Sequence, residues 1–161
     1  MRARGVIFLG LTVLAGALAG CATMEPPPPL YERLTAADFL PGGAERVVVG
    51  RDAIALVVDD FVANVVADDR INARFKALKP PEVNKLKSNL SDQICEATGG
   101  PCSYLGRDMK TTHKGMKITE AEWNATVEAL VKALTRRKVP EKEKGELLAA
   151  LGPLRGDIVG Q

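Results

Sequence analysis

The stretch Cys95–Met116, "CEATGGPCSYLGRDMKTTHKGM", holds the only histidine of a 161-residue chain and two of its three cysteines. A lone histidine is more often a half-exposed or hydrogen-bonded residue than a ligand, so its neighbours must decide its role. Met109 and His113 stand four positions apart, which puts them on one face of a short helical segment expected over Arg107–Lys114. Met116 and Ile118 follow, so His113 is expected to point inward among apolar side chains.

Both flanks of this stretch have the spacing of helices. Upstream, Pro80 and Pro81 suit a first turn, where no amide donor is needed, and the helix they open should run to about Ala97, before Gly99 and Gly100 stop it. It places Val83, Leu86, Leu90 and Ile94 on one apolar stripe, flanked by Asn89 and Gln93. Farther upstream, "RDAIALVVDDFVANVV" (Arg51–Val66) sets Ile54, Val57 or Val58, Phe61, Val62 and Val65 at three-to-four spacing, with Asp59 and Asp60 expected on the wet side. Downstream, "TEAE" is a capping box with Thr119 as N-cap and Glu122 at the third position. That helix continues through Trp123, Val127, Leu130, Val131 and Leu134, and a fourth from Pro140 carries Leu147, Leu148, Leu151 and Ile158. The one period-2 candidate, "ERVVVG" (Glu45–Gly50), lies in a glycine-containing insertion. The expected fold class is all-α.

The chain begins differently. Arg2 and Arg4 precede an apolar run over Val6–Ala19, too short for a bilayer span of about 20 residues and fitting a cleaved secretory signal over residues 1–20. Leu18-Ala19-Gly20-Cys21 resembles the bacterial lipobox, which implies a lipidated Cys21 as the first residue of the mature protein. Ala22 in place of an aspartate implies sorting to the outer membrane, facing the periplasm. Residues 21–29 end in four consecutive prolines, a stiff polyproline spacer. From residue 30 to 161 about 130 residues remain, enough for one domain with a real core.

The 22 basic and 20 acidic residues are spread along the chain with no basic block, which excludes nucleic acid as a partner. In an exported protein Cys95 and Cys102 are expected to pair, closing an eight-residue ring that would stabilise by about 2.5 kcal/mol. A metal pair is the rival reading, and with His113 the spacing fits no common zinc pattern.

In order along the chain, "LYERL" (Leu30–Leu34), "VVDDF" (Val57–Phe61), "DDRIN" (Asp68–Asn72), Phe75, "GGPCSYLGRDM" (Gly99–Met109), "TTHKGMKIT" (Thr111–Thr119) and "VPEKE" resemble a group I truncated hemoglobin. The match runs through Leu30–Leu34, is interrupted by an insertion, and resumes over Gly50–Val159. The resemblance implies a two-over-two helical sandwich with His113 as the proximal ligand of haem iron, Phe75 wedged against the haem and Phe61 as the inner phenylalanine of the second helix. Val62, Leu86, Leu90, Ile94, Met109, Met116 and Ile118 would complete the lining. A Cys-x-x-Cys-His attachment motif is lacking, so the cofactor is haem b.

The departures from the family pattern fall on the distal side. Where relatives commonly carry tyrosine and glutamine donors, this chain has Val62 and Leu90, with Leu86 at the usual distal position; only Gln93 and Asn89 could supply a hydrogen bond. Arg107, Lys110, Lys114 and Lys85 are candidate partners of the propionates. The function implied is reversible binding of a diatomic gas ligand (oxygen, carbon monoxide or nitric oxide), with a reductase as a further partner. Nitric oxide dioxygenase or pseudo-peroxidase chemistry is the enzymatic alternative, and a haem-free envelope interaction module is another.

Overall fold

The computed structural model describes residues 26–35 and 50–161. The expected signal, Cys21 and positions 36–49 of the insertion, with the strand candidate at 45–49, lie outside the described residues.

Among the described residues seven helices follow in order: α1 (Leu30–Leu34), α2 (Arg51–Ala67), α3 (Pro80–Ala97), α4 (Met109–His113), α5 (Glu120–Arg136), α6 (Glu141–Leu151) and α7 (Arg155–Ile158), with 3-10 turns at Asn72–Arg74 and Gly152–Leu154. Among the described residues the only β pairing is an isolated parallel bridge between Ile118 and Val159. The all-α expectation holds. The capping box forms as expected: Thr119 Oγ1 accepts from the Glu122 amide, and Glu122 accepts from the Thr119 amide at 2.8 Å. The Thr119 amide holds the Glu122 carboxyl below its usual range. The fourth expected helix is broken, because Gly152-Pro153 removes an amide donor and tightens the chain into a 3-10 turn between α6 and α7.

α2 is the central element, with α3 and α5 packed on it and α1 lying on α6. The main core gathers Val58, Cys95, Leu134 and Leu147, each at most 1% exposed. A second cluster joins Val65, Ile71, Ala125 and Ala129, with Phe61 and Phe75 packed against it. The expectation for Asp60 is corrected here: it is buried, not wet. It accepts from Arg137 Nε at 2.6 Å and faces Arg136 at 3.6 Å, a pairing that makes burial of a carboxylate tolerable. Asn64 Nδ2 donates to the Ala129 carbonyl at 3.0 Å, a second polar tie between α2 and α5. Arg33 clamps α1 to α6 through Glu143, at 2.7 Å, and Glu146.

Cys95 and Cys102 are joined, so the end of α3 is stapled to the loop that leads to α4. Gly100 is required there: a Cβ would lie 2.5 Å from the Tyr31 ring and 2.7 Å from Cys95 Sγ. α4 packs against α7, and neither helix has a fully buried residue.

Candidate functional site

α4 is little more than one turn, and its ends are fixed by local chemistry. Asp108 caps it by accepting from the Thr111 amide at 2.8 Å, and that bond holds the Asp108 carboxyl below the usual carboxylate range. Beyond His113 the chain turns at Gly115, whose φ of +82° lies in the left-handed region that favours glycine.

His113 is half-buried, and its Nδ1 lies 2.8 Å from the Met109 carbonyl oxygen. A carbonyl only accepts, so Nδ1 carries a proton, and in the neutral imidazole Nε2 then holds the lone pair. This is the tautomer a metal-ligating imidazole needs, with the ring aimed by the bond its other nitrogen makes.

The segment after His113 is held from two directions. Arg74 donates to the Met116 carbonyl at 2.7 Å and reaches Glu122 at 3.5 Å. The Lys117 amide donates to the Gln161 carbonyl at 2.6 Å, and the Gly160 amide to the Ile118 carbonyl at 2.9 Å. Neither grip was apparent from the sequence, because each joins positions more than 40 apart and arginine, glycine and glutamine carry no pairing signal.

The expected lining residues divide into two sets. Val62, at 5% exposure, and Ile94, at 6%, belong to the main core, with Leu90, Phe61 and Val83 packed against it. Phe75 sits with Phe61 on the second cluster. Leu86, Met109 and Ile118 are half-buried, and Met116 is 39% exposed. Gln93 is half-buried, as is Asn89, and it stands two helical turns beyond Leu86 on the same line of α3. Arg107, Lys110, Lys114 and Lys85 are all exposed.

The chemistry of these residues fits haem: a single imidazole aimed by its Nδ1 contact, with half-buried apolar side chains on α3, α4 and the segment after His113. The rival zinc reading loses its thiolates to the disulfide, and among the described residues no three His, Cys, Asp or Glu side chains converge. Two concavities elsewhere lack such chemistry. One is lined by core residues including Leu34, Ile54 and Leu134, the other by an ion-pair cluster of Asp68, Arg70 and Glu128, and neither includes His113.

The bacterial-like globin family model matches residues 47–159. A group 1 truncated hemoglobin of Mycolicibacterium paratuberculosis is 33% identical over 109 residues, covering 68% of this chain and 78% of that protein. One from Tetrahymena thermophila is 30% identical over 112 residues, 70% of this chain and 90% of the relative. In three dimensions the chain is similar to the truncated hemoglobin of Tetrahymena pyriformis in its Fe(III) form, with a TM-score of 0.68, 25% identity, and coverage of 83% of this chain and 100% of that one. The 2/2 hemoglobin of Synechococcus sp. PCC 7002, in the cyanomet state with covalently attached heme, gives a TM-score of 0.66 at 27% identity over 83% of this chain and 100% of that one. The match spans the stretch that carries His113, the helices around it and the disulfide-closed loop, and the chain belongs to the bacterial-like globins as a group 1 truncated hemoglobin.

Proposed function

We propose that this globin binds one haem b through Nε2 of His113 and uses it for reversible capture of a diatomic gas. Haem b is the usual cofactor of the family, and when bound it would supply an iron able to take a small ligand. The observation that carries the reading is the 2.8 Å contact between His113 Nδ1 and the Met109 carbonyl, which frees Nε2 and aims the ring. Val62, Leu86 and Leu90 are apolar, so at the places where relatives carry donors they would offer a ligand no hydrogen bond. Phe61 and Phe75 both pack against the second core cluster and would border the haem from there. With His113 the only histidine, no second imidazole of this chain could hold the iron.

The apolar lining favours a carrier or sensor of gas over oxygen-dependent enzyme chemistry, which needs a donor to hold its oxidant. The lipobox-like Leu18–Cys21 and the prolines of residues 26–29 support a lipid anchor at the outer membrane, with the globin in the periplasm. Cys21→Ser should then release the protein from the membrane fraction. The central test is optical. The ferrous protein should show a five-coordinate haem spectrum, and His113→Ala should abolish it; an unchanged spectrum in the variant would remove His113 from the iron.

A further inference from the structure

We propose that the disulfide-closed loop ending at Leu105 is a contact surface for the lipid bilayer that anchors the protein. This rests on the reading of Cys21 as a lipidated anchor. Four residues, and so five chain steps, separate Cys21 from Pro26, so the described chain starts at most about 18 Å from the lipidated residue. The spacer then runs into the loop: a Cβ on Gly99 would lie 3.7 Å from Pro29, the Tyr31 amide donates to the Thr98 carbonyl at 2.8 Å, and Arg33 Nε donates to the Pro28 carbonyl at 3.2 Å. The corner of the domain nearest the tether is therefore the corner closed by Cys95 and Cys102.

Leu105 is three residues beyond Cys102, within about 11 Å of it. It is 93% exposed, whereas the other exposed large hydrophobics, Val66 and Met116, stand at 38% and 39%. Its neighbours keep it out. Tyr104 folds back so that its hydroxyl donates to the Arg107 carbonyl at 2.8 Å, and its ring covers Gly106, where a Cβ would meet it at 2.3 Å. The leucine is left at the tip of a loop braced by a disulfide and a closed turn.

An isolated exposed leucine is ordinary on a protein surface. Here the following residues supply three exposed cations, Arg107, Lys110 and Lys114, and the one acid among them, Asp108, is occupied as the α4 cap. An apolar tip backed by cations matches an interface with anionic headgroups. One leucine and three cations are too weak to recruit a free domain, but a tether already holds them at high effective concentration, so they act by orienting the globin.

The test uses the full lipidated chain carrying Leu105→Trp, reconstituted into vesicles of phosphatidylethanolamine and phosphatidylglycerol with or without brominated acyl chains. Emission of the unaltered protein, from Trp123 alone, is the reference. Sedimentation with the vesicles is scored first, with Cys21→Ser as control; if both forms stay in solution, the anchor is lost and this inference with it. Among sedimenting protein, the introduced indole should shift to the blue and lose most of its emission in brominated vesicles relative to plain ones. Equal emission in the two vesicle types would overturn the contact while leaving the anchor intact. Protection that arises only on adding envelope proteins would also overturn it and assign the loop to a protein partner.

Discussion

The two halves of this globin use the same kind of helical spacing to opposite ends. Where α1, α2, α5 and α6 meet, Val58, Leu134 and Leu147 are sealed at 1% exposure or less. Around α4 and α7 the apolar residues Met109, Ile118 and Ile158 stay half-buried, and no residue of either helix is fully covered. One half completes its core with its own side chains; the other leaves an apolar lining around an aimed imidazole. As a truncated hemoglobin the chain uses haem to bind a small ligand, and the proposed ligand His113 stands in the second half.

If that contrast holds, damage to the filled half should strike stability and damage to the open half should strike ligand chemistry. Leu134→Ala should lower unfolding stability by about 2–5 kcal/mol, measured by urea denaturation, and the loss should be the same with and without haem. A loss seen only in the haem-loaded protein would mean that Leu134 belongs to the open half. Replacing both Cys95 and Cys102 by serine should lower stability by about 2.5 kcal/mol through the freed loop. It should also leave the ferrous spectrum five-coordinate, because the staple lies on the filled side, where Cys95 is fully buried.

Val62→Tyr probes the border between the halves. A donor there should slow oxygen release about tenfold, equivalent to roughly 1.4 kcal/mol, with carbon monoxide binding almost unchanged, in flash photolysis. Should the unaltered protein already release oxygen as slowly as the variant, Gln93 is the donor, and the case for oxygen-dependent enzyme chemistry rises. The smallest effect is expected at Asp108. Its carboxyl titrates below its usual range when folded, so it stabilises α4 above that range and loses the effect as pH falls through the lowered value. Acid titration of the ferrous spectrum should therefore begin at higher pH in Asp108→Ala than in the unaltered protein.

What the sequence makes legible is local. The α2, α3 and α5 stripes, the Thr119 capping box and the Met109/His113 pair depend on spacings of three and four, and all appear where expected. Asp60 misleads because its partner Arg137 lies 77 positions away and a hydrophobic pattern cannot see a charge that will be neutralised from another helix. The break at Gly152-Pro153 is visible as a dipeptide, yet Leu147, Leu148, Leu151 and Ile158 keep helical spacing across it. At the site, the shared face of Met109 and His113 is readable from their spacing, but the grip of Arg74 on the Met116 carbonyl is not, since a backbone acceptor leaves no trace in residue type.

The pairing of Lys117 with Gln161, and of Ile118 with Gly160, bears on the order of events during synthesis. The filled half includes long-range partners of its own, but the chain that follows His113 cannot take its final course until residue 161 has been made. Contacts across such a separation form late, after local helices have condensed. The setting of the chain beyond His113 is thus complete only once Gln161 has been made.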